Sequence, residues 1–223
     1  MSIIENLNAV RERIVAAASQ SGRSASDVLL LAVSKKKPVE AIMQAMAAGQ
    51  RDFGENYLQE AQAKIEELSG EDICWHFIGS VQSNKARVIA EQFDWVHTVD
   101  RLKLARLLSR HRPIERPALQ VCLQVNIDQD PSKSGCAENE VASLAKEVSR
   151  LPGLQLRGLM AIPKVNSGPE PFQALAALMK QVNLQCGLHL DTLSMGMSGD
   201  LELAVKYGST IVRVGTDVFG NRA

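Results

Sequence analysis

No apolar run in the sequence approaches the roughly 20 residues that a membrane-crossing helix needs. The opening MSIIENLNAVRER also lacks the basic segment, apolar stretch and small-residue cleavage site of a secretory leader. A cytoplasmic protein without a membrane contact is the expectation. Cys74, Cys122, Cys136 and Cys186 form no CxxC pair, and Cys122 sits inside an apolar run, so neither a disulfide framework nor a zinc site is signalled. Reduced thiols are expected. His76, His97, His111 and His189 show no HExxH or other ligand spacing, so no metal ligand is assigned. Lys plus Arg equals Asp plus Glu at 25 each, which leaves no overall field to recruit nucleic acid or an anionic membrane. A Walker A loop, a Ser-His-Asp order, paired carboxylates, internal repeats and low-complexity tracts are all absent.

What is present is an ordinary globular composition, 45% hydrophobic and 22% charged. An amphipathic stretch, ENLNAVRERIVAAASQSG, comes first. β-rich runs then follow near 28–35, 51–55, 74–80, 95–99, 118–127, 156–162, 191–196 and 210–215. Helical patterns separate them at roughly 38–48, 56–68, 83–93, 101–111, 138–151, 170–186 and 199–207. Strands alternating with helices imply parallel βαβ units, and eight of them predict a closed (β/α)8 TIM barrel, a single domain over 1–223 with an extra N-terminal helix. The alternative, an open doubly wound sheet, would carry GxGxxG after its first strand, and none follows here.

A barrel of this kind places its site at the C-terminal ends of its strands. The first such end is LLLAVSKKKPVEAI, an apolar run that turns at Ser34 into three lysines before Pro38 opens a helix. Lysines at a strand end commonly sit in water. Alternation along the strand, however, puts Leu31, Val33, Lys35 and Lys37 on one face and Lys36 on the other, which directs an ammonium inward. In a poorly solvated pocket such an amine becomes nucleophilic, the state that condenses with an aldehyde. The strand alone leaves both readings open.

Strands seven and eight run into SMGMSGDLELA and VGTDVFGN, where barrels frequently hold phosphate. Gly196 and Gly215 allow close backbone approach, Ser194 and Thr216 add hydroxyls, and Ser198 is placed to cap the next helix. A capped helix start explains SGDLE on its own; the two Gly/Ser/Thr-rich exits together favour an anion site. Arg213, between Val212 and Val214, enters the barrel if the valines meet the helices, and a buried guanidinium needs an acceptor. Spacing leaves that acceptor open between a core carboxylate, Glu55 or Asp100, and a ligand heteroatom. Asn56 reads equally as a helix cap, and His76 as a hydrogen-bonded core histidine.

The segments AVSKKKP, FGENYLQEA, WHFIGSVQSNK, HTVDR, VNIDQDPSKSG, LRGLMAIP, LSMGMSGDLELA and IVRVGTDVFG stand in order across nearly the whole chain. In these the sequence closely resembles the pyridoxal phosphate homeostasis proteins, the YggS/PROSC family, similar in fold to the N-terminal barrel of bacterial alanine racemase. The resemblance implies pyridoxal 5′-phosphate as cofactor, with Lys35 forming the internal aldimine. It implies further that Ser194, Ser198, Gly215 and Thr216 hold the phosphate, that Gly196 belongs to the cofactor-binding set, that Arg213 faces the pyridine nitrogen, and that Asn56 and Met160 lie beside the cofactor. Lys36 departs from the threonine expected in the middle of the SKxKP motif, and strand parity turns it away from the ring. Lys37 and Lys133 are either surface charges or groups that receive or hand on the cofactor.

The protein decides what pyridoxal phosphate does by the atoms it places around the ring. An arginine at the pyridine nitrogen disfavours protonation there and weakens the electron sink, and a barrel-type racemase also needs a second base from a further domain for which 223 residues leave no room. The resemblance therefore implies a carrier and buffer of the cofactor in intracellular homeostasis, with no catalytic residue assigned. Apo enzymes dependent on pyridoxal phosphate are the implied recipients, and a monomer is expected. The alternatives are a minor amino-acid racemase dependent on pyridoxal phosphate and a phosphate-binding barrel without cofactor.

Overall fold

The alternating runs form eight parallel strands closed into a barrel in sequence order, β1 through β8, in a computed structural model that describes residues 2–220. The outermost positions of the expected 1–223 domain lie outside the described residues. The strands are β1 Leu29–Val33, β2 Asp52–Glu55, β3 Cys74–Phe77, β4 Trp95–Val99, β5 Leu119–Gln124, β6 Leu154–Met160, β7 Thr192–Ser194 and β8 Ile211–Val214. The helices are α1 Ile3–Gln20, α2 Val39–Ala47, α3 Leu58–Glu67, α4 Ala86–Gln92, α5 Leu102–His111, α6 Val141–Val148, α7 Glu170–Cys186, α8 Leu201–Lys206 and α9 Thr216–Phe219. Closure is made by β8 against β1, with Leu29 opposite Ile211 and Leu31 opposite Arg213.

Period-two alternation divides the strand residues between two environments. Outward-facing Leu30, Ala32, Phe53, Trp75, Phe77, Val96, Val121 and Leu123 join the main core under the helices. Inward-facing Leu31, Val33, Ile78 and Ile211 form a separate small apolar cluster. The interior also holds polar residues, with His76, His97, Ser194 and Arg213 all buried. α1 opens with a capping box, in which Ser2 Oγ accepts from the Glu5 amide at 3.2 Å and Glu5 Oε2 accepts from the Ser2 amide at 2.7 Å. Its buried stripe, Leu7, Val10, Ile14, Ala17 and Ala18, packs beside α2, α8 and α9.

Two boundaries differ from the sequence expectation in ways that matter for the site. β1 stops at Val33, so strand parity does not extend to the lysines; Lys35 and Lys36 lie in a turn. The residues after β8 wind into the short helix α9, where the pattern VGTDVFGN suggested only a strand exit. The four cysteines are unpaired, and among the described residues no helix is long and apolar enough to cross a membrane.

Candidate functional site at the barrel mouth

Lys35 follows Ser34, the first residue beyond β1. Ser34 is fully buried, and the Lys37 amide returns to its carbonyl at 3.0 Å. Lys36 has φ +60°, so Ser34 to Lys37 have the pattern of a type II turn with Lys35 at its second position. The side chain of Lys36 is exposed, as expected, but the cause is this turn rather than alternation, and its ammonium lies 6.0 Å from the centre of the Tyr57 ring. Lys37 Nζ donates to Phe219 O at 2.9 Å, and Lys133 Nζ bonds Asp128 Oδ2 at 2.5 Å and Ile162 O at 2.9 Å, so both tie loops together.

Arg213 is 5% exposed and points into the barrel, as the valine flanks predict. Neither carboxylate suggested by the sequence reaches it: Glu55 faces outward to Lys64 at 2.7 Å, and Asp100 pairs with Arg101 at 2.5 Å. Arg213 instead donates to Ser194 Oγ at 2.8 Å and to Ala161 O at 2.9 Å. Burial lowers its pKa to about 10, which still leaves the guanidinium charged at neutral pH. Among the described residues no carboxylate lies within ion-pairing distance of this inward cation, although the charge of Asp200 acts on it and opposes the lowering by burial.

Behind Arg213 runs a chain of hydrogen bonds through the barrel. Ser194 Oγ lies 2.8 Å from His97 Nδ1, His97 Nε2 lies 2.9 Å from His76 Nδ1, and His76 Nε2 lies 3.1 Å from Asp52 Oδ1. Burial first, then His76 and Arg213, hold His97 well below the usual histidine pKa, so its ring is neutral. An assignment that keeps the His97 ring neutral and sets a donor opposite the Asp52 carboxylate has Ser194 donate to His97, His97 to His76, and His76 to Asp52. Asp52, Cys74 and His76 bring three metal-capable donor atoms within 4.8 Å of one another, a grouping that sequence spacing did not announce. Burial, followed by the charge of Asp52, keeps the Cys74 thiol well above its ordinary pKa.

The exits of β7 and β8 meet through a residue that the sequence reading missed. Arg13, on α1, donates to Ser198 O at 2.9 Å, to Asp217 Oδ2 at 2.5 Å and to Glu202 Oε1 at 2.6 Å, binding the Ser198 loop to α9 and α8. Its position on an amphipathic helix remote in sequence gave no signal. Ser198 does not cap α8: Asp200 occupies the N-cap, and its carboxylate accepts from the Met197 amide at 2.5 Å. Ser198 and Thr216 stand at the exits, whereas the Ser194 hydroxyl lies deeper, between His97 and Arg213. Gly196 has φ +94°, and a Cβ there would stand 2.4 Å from Ala204 Cβ; a Cβ on Gly215 would stand 3.2 Å from Val33 O. Gly196 thus makes room for the Ala204 side chain of α8, and Gly215 lets the β1 backbone approach.

Met160 is fully buried on the inner face of β6, opposite Ser194 and next to the carbonyl that receives Arg213. Asn56 follows β2, and its side-chain oxygen is buried with no hydrogen-bond partner among the described residues. Asn56 is not the helix cap either, since Tyr57 precedes α3. A Cβ on Gly79 would lie 2.1 Å from Asn56 O, so the β3 exit is pressed against this residue. His76 is, as expected, a core histidine with hydrogen bonds on both ring nitrogens.

Residues 6–223 match the family described as alanine racemase, N-terminal domain. The pyridoxal phosphate homeostasis protein of Pseudomonas aeruginosa is 54% identical over 221 residues, covering 99% of this chain and 96% of the relative. The structure of PipY from Synechococcus elongatus with pyridoxal phosphate bound superposes with a TM-score of 0.86 at 39% identity, over 98% of this chain and 100% of that one. Alanine racemase of Clostridium difficile shares the fold alone, with a TM-score of 0.78 at 12% identity, 99% of this chain matching 56% of that one. The chain belongs to the alanine racemase N-terminal domain family and, within it, to the pyridoxal phosphate homeostasis proteins.

Proposed function

We propose that this chain holds pyridoxal 5′-phosphate at the mouth of its barrel and carries and buffers it. One relationship carries the reading. Lys35 and Arg213 stand at the ends of adjacent paired strands, with Leu31 in register with Arg213, so an amine and a buried guanidinium flank one opening. That pair suits a ring bearing an aldehyde and a basic nitrogen. When bound, the cofactor supplies an aldehyde that condenses with an amine, losing water, and a ring that withdraws electrons.

The residues fit this group. Lys35 provides the amine. Arg213 is charged and buried, with no carboxylate bonded to it, and offers N–H to an acceptor while holding its own proton. The unpartnered Asn56 Oδ1 suits a donor on the ligand, and Met160 supplies an apolar wall. Ser198, Gly215 and Thr216 outline a place for the phosphate, with Gly196 shaping the same loop and Ser194 acting through Arg213. The names of the relatives and the cofactor bound to PipY support the homeostasis reading over a racemase. We extend it to a monomer in the cytoplasm that supplies apo enzymes.

The test is to load the purified protein with pyridoxal phosphate, reduce with borohydride, digest and locate the adduct by mass spectrometry. It is expected on Lys35. An adduct on Lys36 or Lys37 with Lys35 unmodified, or none at all, overturns the assignment.

A further inference from the structure

The turn that presents Lys35 is strained and is held from below. Lys36 adopts φ +60°, a conformation that a type II turn reserves for glycine and that a residue with a Cβ adopts reluctantly. Such backbone persists where its surroundings over-determine it. Here the surroundings are one face of α3. Lys64, only 4% exposed, spends all three of its N–H donors on this region: Ser34 O at 2.8 Å, Glu55 Oε1 at 2.7 Å and Glu60 Oε1 at 2.6 Å. Glu55 Oε1 also accepts from Ser34 Oγ at 2.6 Å, and Glu60 Oε1 accepts from the Lys36 amide at 2.5 Å. Both residues flanking Lys35 in the chain are therefore bonded to a cluster centred on one buried ammonium. Tyr57, Glu60 and Lys64, at i, i+3 and i+7, align toward the turn.

We propose that Lys64 is a positioning residue for Lys35: with Glu55 and Glu60 it holds the strained Ser34–Lys37 turn and so fixes where the Lys35 amine is presented. Burial raises the pKa of Glu55 and the charge of Lys64 opposes that rise, in keeping with an ion pair the fold has a use for. A buried pair of this kind is weak evidence for stability on its own. Its contacts with the turn backbone give it the second role. The proposal rests on Lys35 being the lysine that bonds the cofactor.

The experiment compares the parent with Lys64→Gln and with Lys64→Gln combined with Lys36→Gly. Two quantities are measured on folded protein: the rate at which added pyridoxal phosphate becomes fixed to Lys35 by borohydride, and, without cofactor, hydrogen exchange at the Lys37 amide that closes the turn. Lys64→Gln is expected to slow attachment about tenfold or more, since small misplacements of a reacting group cost factors of this size, and to speed exchange at Lys37. Glycine at position 36 takes the turn without strain, so the double variant is expected to recover most of the attachment rate. A purely structural Lys64 would give no such rescue. Attachment at the parent rate in Lys64→Gln, or a folded double variant as slow as the single one, overturns the proposal. If Lys64→Gln does not fold, Glu60→Ala, which removes only the bond to the Lys36 amide and one ion pair, gives the same comparison, and unchanged attachment overturns it equally. Failure to label Lys35 in the parent itself refutes the cofactor assignment, a result separate from these.

Discussion

Ser194 Oγ accepts a hydrogen bond from Arg213 Nη1 at 2.8 Å, deep inside the barrel and away from the loop exits. With its own hydrogen given to His97, this hydroxyl is engaged on both sides. In the proposed reading it holds the guanidinium in place and leaves the phosphate to the loop exits. Ser194→Ala leaves an N–H of a buried cation unsatisfied, and is expected to lower stability by about 1–3 kcal/mol. The preference for pyridoxal phosphate over unphosphorylated pyridoxal should remain within about twofold of the parent, well under the 1.4 kcal/mol that a factor of ten represents. Titration with both compounds checks this. A collapse of the phosphate preference in Ser194→Ala would return the residue to the phosphate.

His97 imposes a pH dependence whose direction follows from its burial. Its folded pKa lies well below the ordinary value, so the folded protein refuses a proton that the unfolded chain accepts. Above about pH 6.5 both states hold the ring neutral and this group adds no slope. As pH falls below that value, stability is lost at up to about 1.4 kcal/mol per pH unit for the one residue. Urea denaturation at several values between neutral and acidic pH should show the loss. His97→Asn should be less stable at neutral pH yet lose less on acidification. An unchanged slope in the variant would mean that His97 is not the group that titrates.

How much of this was legible in the sequence depended on the range of each interaction. The barrel was readable because apolar periodicity switches from strand to helix at short, regular intervals, and the inward Arg213 was readable because Val212 and Val214 leave a single face for it. The partners of Arg213 were not. Ser194 and the Ala161 carbonyl lie 19 and 52 residues away, and spacing cannot rank them against Glu55 or Asp100. Glu55 in fact faces outward, since only Asp52 and Gly54 share the inner face of β2. At Lys36 parity gave the exposed side chain for the wrong reason, because a turn begins where alternation was extrapolated. Arg13 and Lys64 had no local signature at all; on helical patterns each reads as an ordinary surface charge, and only tertiary packing brings Arg13 to the β7 and β8 exits and Lys64 beneath the Ser34–Lys37 turn.

The β7 and β8 exits lead to a prediction about where affinity resides. Ser198 and Thr216 are joined through Arg13 and α9, and charge-assisted hydrogen bonds to an anion are roughly twice as strong as neutral ones. Replacing both with alanine is expected to weaken pyridoxal phosphate by about 2–4 kcal/mol while changing the already weak binding of pyridoxal little. Equilibrium dialysis against each compound checks it. Equal losses for the two compounds would move the phosphate elsewhere.

The last prediction separates a carrier from an enzyme, and it turns on the proton that Arg213 does not give up. With its pKa held at about 10 by burial, the guanidinium remains a donor at neutral pH, so an acceptor nitrogen opposite it receives a hydrogen bond without receiving a proton. A ring held that way withdraws electrons weakly, and the α-hydrogen of a bound amino acid should stay in place. The cofactor-loaded parent, incubated with alanine in heavy water, is expected to incorporate deuterium at the α-carbon far more slowly than about 1 per second, the low end of ordinary enzyme turnover. Arg213→Glu, which places a carboxylate where a ring nitrogen could stay protonated, should raise the rate in whatever fraction retains cofactor. That fraction must be measured alongside, because a carboxylate buried beside Ser194 without a cation costs several kcal/mol and can empty the site. Exchange by the parent at enzyme-like turnover would overturn the carrier reading and make a racemase-type activity the first hypothesis.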